Sequence, residues 1–315
     1  MRKGANTIFY IPLNLVLTDI KGEMAALCGA ALWAVASLVY GRLGKNIAPL
    51  HLNLLKGAIA IALLLITIYF SGGLIPDIAP ISIFLLLVSG LMGIALGDTA
   101  FFVAINSLGV RRALLMGTLV PPITAIAAMI FLQERLNMLA WWGIFITILG
   151  VAWVISERVA ETENNYAHHL IKGISYGLLA AIANTIGALL SRVALANTTV
   201  TPIWAALLRL IGGELVLLGW LYLPQQPSNF QWQILYSRRA IAGIFFAAFI
   251  GTYLGIWLQV TAIKFTQTGI ATTLLQTSPL FAIPLAMWMG EKVSWRAIAG
   301  VLVSLGGVAL FFYSK

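Results

Sequence analysis

The sequence predicts an all-α polytopic membrane protein: ten transmembrane helices laid out as two inverted five-helix repeats. Three observations predict it. Of 315 residues, 61% are hydrophobic and only 9% charged, whereas a soluble domain keeps roughly 25% charged residues to face water. Ten segments each hold the roughly 20 apolar residues that a helix needs to cross a bilayer core. A proline-broken phrase is also stated twice, as PPITAIAAMIFLQERL from Pro121 to Leu136 and as SPLFAIPLAMWMGEKV from Ser278 to Val293. Shifted by 157 positions, Pro122 falls on Pro279, Ala125 on Ala282, Ile126 on Ile283 and Glu134 on Glu291.

Helices are the only suitable spanning element, because lipid tolerates no unpaired backbone group and the segments are too long for barrel strands. The net charge of +9 is dispersed through short loops rather than gathered on a polar face, which excludes a soluble nucleic-acid binder. The single cysteine, Cys28, rules out an intrachain disulfide. It lies in an apolar run and reads as a small buried or lipid-facing side chain.

In chain order, residues 1–21 form an N-terminal extension. Arg2 and Lys3 precede a short apolar run interrupted by Pro12; it is too short to span, and no small-residue cleavage site follows it. The spans fall at 23–41, 50–70, 81–105, 112–132, 138–156, 172–191, 201–223, 239–263, 270–289 and 295–313. The first five make one repeat, 22–156, and the last five a second, 172–315, with the polar linker 157–171 between them.

Matching spans carry matching marks. The first holds Trp33, and the sixth Asn184 and Thr185. The second and seventh open with PLHLNLLK and PIWAALLR, so Lys56 and Arg209 each follow a proline by seven residues. The third and eighth share GIALG (93–97) and GTYLG (251–255), with Asp98, Phe101 and Phe102 in one and Tyr253, Trp257 and Gln259 in the other. The fourth and ninth carry the repeated phrase; Gly143 and Gly150 in the fifth answer Gly300 and Gly307 in the tenth. A unit with an odd number of spans enters the membrane upside down in its second copy. Inverted repeats with a site near the midplane are a transporter architecture, because two similar halves can exchange conformations and open to opposite sides.

Trp33 in the first span, a basic residue in the second, the GxxxG with trailing aromatics in the third, then GTLVPPITAIAAMIFLQERL and LLQTSPLFAIPLAMWMGEKV, together resemble the EamA family of the drug/metabolite transporter superfamily. The resemblance covers about residues 22–313. It implies ten helices, both termini in the cytoplasm, an inner-membrane location in a bacterium, and export of small metabolites or drugs. The bias of loop Lys and Arg leans weakly the other way, toward an N-terminus outside; the expectation adopted is the cytoplasmic one that the resemblance implies.

Several in-span residues are candidates for chemistry. Pro121, Pro122, Pro279 and Pro284 each remove a backbone donor and free a carbonyl four residues back. Such carbonyls, beside Thr118, Gln276, Thr277 and Ser278, either line a wet cavity or belong to kinks satisfied by packing. Lys56 and Arg209 lie about 10 Å into their helices. They are either gate charges or anion contacts facing the bundle interior, or anchors that snorkel to the interface. Glu214 follows Arg209 by five residues, about 140° round the helix, so it needs a partner elsewhere or a proton of its own. Asp98 and Glu214 are each a candidate proton-coupling acid, or else a neutral, hydrogen-bonded structural one. Glu134 and Glu291, each followed by a cation, read as hinge-loop residues. The candidate substrate-binding set is Trp33, Asp98, Phe102, Thr118, Asn184, Tyr253, Trp257 and Gln276: aromatic walls with a few placed polar groups. The glycines at 93, 97, 251 and 255 permit close helix packing.

His51, His168 and His169 have no metal-ligand spacing, and there is no nucleophile–His–acid set, phosphate loop or acid cluster. Neither a cofactor, a metal nor enzymatic activity is expected. The function expected is secondary transport: export of amino acids, related compounds or drugs by alternating access about a central cavity, with protons as the candidate coupling ion. The expected partners are a small-molecule substrate and the lipid bilayer, with no nucleic acid; the sequence leaves the oligomeric state open. Two readings stand beside it: a sugar-phosphate or nucleotide-sugar exchanger of the same superfamily, which the two in-span cations favour, and a non-transporting membrane scaffold or receptor, which needs no wet midplane.

Overall fold

The computed structural model describes residues 21–71, 76–131, 138–155, 163–196, 198–222, 237–266, 268–288 and 293–313. Within them every regular element is helical. We number the helices α1 (Lys21–Leu43), α2 (Pro49–Phe70), α3 (Pro80–Leu108), α4 (Val110–Phe131), α5 (Met138–Ile155), α6 (Glu163–Leu195), α7 (Pro202–Leu221), α8 (Arg238–Phe265), α9 (Thr268–Trp288) and α10 (Trp295–Tyr313). Seven of these, α1–α3 and α6–α9, are long and apolar enough to cross a membrane; α5 and α10 contribute the shorter apolar stretches Trp141–Trp153 and Trp295–Leu310. The protein is an all-helical membrane protein. Residues 1–20, the segment 157–162, and Glu134, Arg135, Glu291 and Lys292 lie outside the described residues.

Local chemistry sets the ends. Pro49, Pro80 and Pro202 each occupy a first-turn position, where the missing N–H would have had no intrahelical partner. Gly109 joins α3 to α4 at φ +82°, a conformation that costs a side-chain-bearing residue about 1 kcal/mol or more. The outer faces are apolar: Phe84, Trp142, Leu218, Phe245 and Leu302 are exposed, as a lipid-facing surface requires. The sixth helix starts at Glu163, inside the polar linker that the sequence places before residue 172.

Four spans are not simple α-helices. In α3 the segment Leu91–Asp98 is π-helical, and in α8 so is Ala248–Leu254. They take in GIALG (93–97) in the first copy and GTYL (251–254) of GTYLG in the second. α4 is broken between Val110–Gly117 and Val120–Phe131, and α9 between Thr268–Leu275 and Ser278–Trp288.

The packing exchanges the copies. α1 and α2 lie on α8, while α6 and α7 lie on α3. α5 and α10 pair with each other, and their contact is reciprocal. A Cβ on Gly150 would come within 2.6 Å of the Ser304 nitrogen and 2.8 Å of the Gly300 oxygen; one on Gly307 would come within 2.7 Å of the Gly143 oxygen and crowd the Thr147 nitrogen. Under the shift of 157, Gly143, Thr147 and Gly150 become Gly300, Ser304 and Gly307. The late glycine of each helix therefore meets the early residues of the other. Residue-for-residue exchange of this kind is two-fold packing, and late-on-early contact makes the equivalent helices antiparallel. The second copy is thus inverted relative to the first.

Candidate functional site

Eight helices, all but α5 and α10, enclose a central cavity. Its volume is about 100 Å³, against roughly 10–15 Å³ for one buried water by the same kind of measure. The cavity is therefore wide enough for a small solute. Its walls combine aromatic rings with a few buried polar groups.

The helix breaks build part of the wall. Pro121 follows Val120, the first residue of the second half of α4, and Pro279 follows Ser278, the first of the second half of α9. Both prolines thus sit where a helix starts and their missing N–H is harmless. Each break is closed by a hydroxyl turned back on its own helix: Thr118 Oγ1 donates to the Leu115 carbonyl at 2.7 Å, and Thr277 Oγ1 donates to the Leu274 carbonyl at 2.7 Å. Gly117 and Gln276 then meet in the cavity wall, so close that a Cβ on Gly117 would overlap the Gln276 amide oxygen. Pro284 lies within the second half of α9.

The π-helical segments build the opposite wall. Asn53 Nδ2 donates to the Ile94 carbonyl at 2.8 Å and to Thr99 Oγ1 at 2.9 Å. Trp33 Nε1 donates to the Gly251 carbonyl at 2.8 Å. Non-α backbone at this depth needs such donors or a wet cavity; here the donors are present. Trp33 sits over Gly255, and its counterpart Asn184 over Gly97: a Cβ on either glycine would lie within 3 Å of the facing side chain.

The charges converge on the same space. Lys56 is buried and pairs with Asp98, whose side chain is 25% exposed. Its ammonium also lies 5.4 Å from the centre of the Phe102 ring, within cation–π range. Tyr40 packs on Phe102 with ring centres 5.1 Å apart and shares a 3.0 Å hydrogen bond with Thr252. Arg209, 2% exposed, donates from Nη1 to Gln259 Oε1 at 3.1 Å. Neither cation snorkels; both side chains turn inward. Glu214 is 7% exposed and faces α2, where a Cβ on Gly57 would overlap Glu214 Oε1. That oxygen has no hydrogen-bond partner among the described residues.

Two copies of one family's sequence pattern, the EamA-like transporter family, match residues 20–156 and 171–313. The chain belongs to the EamA-like transporter family. It is a membrane transporter. Two relatives of the same character are similar along most of their length. An "Uncharacterized transporter" of Archaeoglobus fulgidus is 24% identical over 293 residues, spanning 91% of this chain and 96% of that protein. "Uncharacterized transporter YdfC" of Bacillus subtilis is 24% identical over 278 residues, spanning 86% of this chain and 84% of that one. A solved crystal structure shares the fold, with a TM-score of 0.66 over 92% of this chain and 95% of its own, at 14% identity.

Within this EamA chain, Trp33, Lys56, Asp98, Phe102, Asn184, Arg209 and Gln276 all line the cavity. The other sequence candidates stand elsewhere. Thr118 is buried at the break in α4 and bonds its own helix. Tyr253 reaches outward to α2, sharing a 2.8 Å hydrogen bond with Thr67, and Trp257 packs on Tyr253 with ring centres 5.9 Å apart. Glu214 lies at the α2–α7 contact. Sequence reasoning missed Ser37, Tyr40, Thr252 and Thr272, which also line the cavity. Only helical spacing pointed to them: Ser37 and Tyr40 lie one and two turns beyond Trp33 on its face.

Proposed function

We propose that this protein exports small organic metabolites, amino acids and related compounds foremost and drug-like molecules with them, by alternating access about the central cavity. One observation carries the reading: equivalent elements of the two inverted copies wall the same cavity, from the paired breaks in α4 and α9 to the paired π-helical segments. Two such halves support two states of similar energy that differ in which side is open. Trp33, Phe102, Asn184 and Gln276 offer the substrate surface. Asp98, the only carboxylate of the cavity among the described residues, is the proposed proton carrier, held against Lys56 until a proton releases it. We place the protein in a bacterial inner membrane with both termini in the cytoplasm.

The test is transport into proteoliposomes across a metabolite panel, with and without a pH gradient. Saturable uptake that Gly117→Trp abolishes is expected, because the added ring has no room beside Gln276 and must occupy the cavity that both residues line. Asp98→Asn should remove the dependence on the pH gradient. Uptake that survives a filled cavity would contradict the reading, and gradient-driven uptake unchanged in Asp98→Asn would end the coupling proposal alone.

A further inference from the structure

Resting on the transport reading, we propose that Arg209 is a carboxylate-binding subsite and that the cargo is an organic monocarboxylate with an apolar or aromatic body. Arg209 is 2% exposed and lines the cavity. A guanidinium keeps its charge in proteins and presents five N–H donors. Among the described residues its side chain makes one hydrogen bond, from Nη1 to the neutral amide of Gln259, and Nε has no hydrogen-bond partner. The sole ion pair among those residues joins Lys56 to Asp98. Glu214, on the same helix, points away to Gly57. Asp98 acts on Arg209 only from beyond ion-pair distance, because it is paired with Lys56; a buried cation without an ion pair of its own is costly, and here it borders a space that a ligand can occupy.

The surroundings suit a planar, bidentate acceptor. Gly93 floors the site: a Cβ there would lie 3.2 Å from Nη2 and 3.8 Å from Asn184 Oδ1. The absent side chain leaves the fork open to an approaching carboxylate, the geometry that guanidinium groups match best. The charges on the cavity wall narrow the class. Among the described residues Lys56 and Arg209 are its cations and Asp98 its carboxylate, so one net positive charge is left to the ligand, which matches a monoanion among the compounds related to amino acids better than a zwitterion or a phosphate dianion. Trp33, Tyr40, Phe101 and Phe102 supply the apolar remainder of the wall, fitting a carboxylate carried on a hydrophobic body.

Calorimetry on the purified full-length protein tests this with four probes of one shape: 3-phenylpropionate, 3-phenylpropionamide, phenethylamine and phenyl phosphate. We expect the carboxylate to bind most tightly. Arg209→Gln should weaken it by about 10- to 100-fold, the usual worth of charge-assisted hydrogen bonds, while leaving the weak binding of the amide as it was. Arg209→Lys should fall between the two, and Gly93→Ala should weaken the carboxylate with the charge intact. An unchanged amide shows that the variant is folded. The proposal is overturned if the amide or amine matches the carboxylate, if phenyl phosphate binds more tightly, if Arg209→Gln leaves carboxylate affinity unchanged, or if the carboxylate does not bind. Binding is read without transport, so the subsite fails or stands separately from the exporter reading.

Discussion

At the residue scale, each buried charge has a different remedy. Lys56 is neutralised by Asp98. Lys56→Met would leave the carboxylate without its cation and destabilise the fold by about 1–3 kcal/mol, less than the 3–5 kcal/mol of a fully buried pair because Asp98 is partly exposed. Lys56→Met with Asp98→Leu should recover most of that loss in thermal unfolding, and a double variant no better than Lys56→Met would contradict the pairing. Glu214 is accommodated by a missing side chain on α2. Gly57→Ala should lower the melting temperature, and Glu214→Ala in the same chain should restore it; additive losses would show that the two positions do not touch. The charged residues were legible in the sequence because in-span charges are rare. Their partners were not. Nothing in the spacing links Lys56 to Asp98, or sets Glu214 against Gly57, since both relations exist only once the helices pack.

At the scale of the element, the breaks and π-helical segments matter more than the spans that contain them. The repeated prolines were visible at once, and the breaks lie just before them. Their physical form was not visible: the prolines open new half-helices, and Thr118 and Thr277 close the ends that precede them. The π-helical segments had no sequence sign beyond the repeated glycine spacing, because a donor on another helix takes up a carbonyl in each. Close approach is also decided here. A Cβ on Gly90 of α3 would overlap the Arg209 carbonyl of α7. Backbone cannot yield as a side-chain tip can, so Gly90→Ala should cost about 1–3 kcal/mol or more, read as lost expression of monodisperse protein. At the side of the chain termini, Arg192 Nη1 donates to the carbonyls of Ile263 (2.8 Å) and Lys264 (3.2 Å), and Lys264 Nζ donates to those of Val200 and Thr198. These bonds tie the ends of α6 and α8 to the loop before α7. Combining Arg192→Ala with Lys264→Ala should increase labelling of cavity cysteines from that side; unchanged labelling would mean the ties do not hold it shut.

At the scale of the whole molecule, the duplication that the sequence states twice becomes the contact between α5 and α10, where equivalent residues trade places. It also becomes a cavity to which both copies contribute helices one to four. An odd repeat predicts inversion by counting alone, which is why this part of the fold was readable from the chain. The depth and outline of the cavity were not, because Ser37, Tyr40 and Thr252 look like ordinary helix residues until α1 meets α8. The central claim is that this shared space opens alternately to the two sides of the membrane. The most direct measurement is labelling of Ser37→Cys, in a chain carrying Cys28→Ser, by a membrane-impermeant thiol reagent applied to right-side-out and to inside-out vesicles. The account predicts modification from both sides, slowed in each case by a transported solute. Modification from one side only under every condition, or from neither, would contradict it.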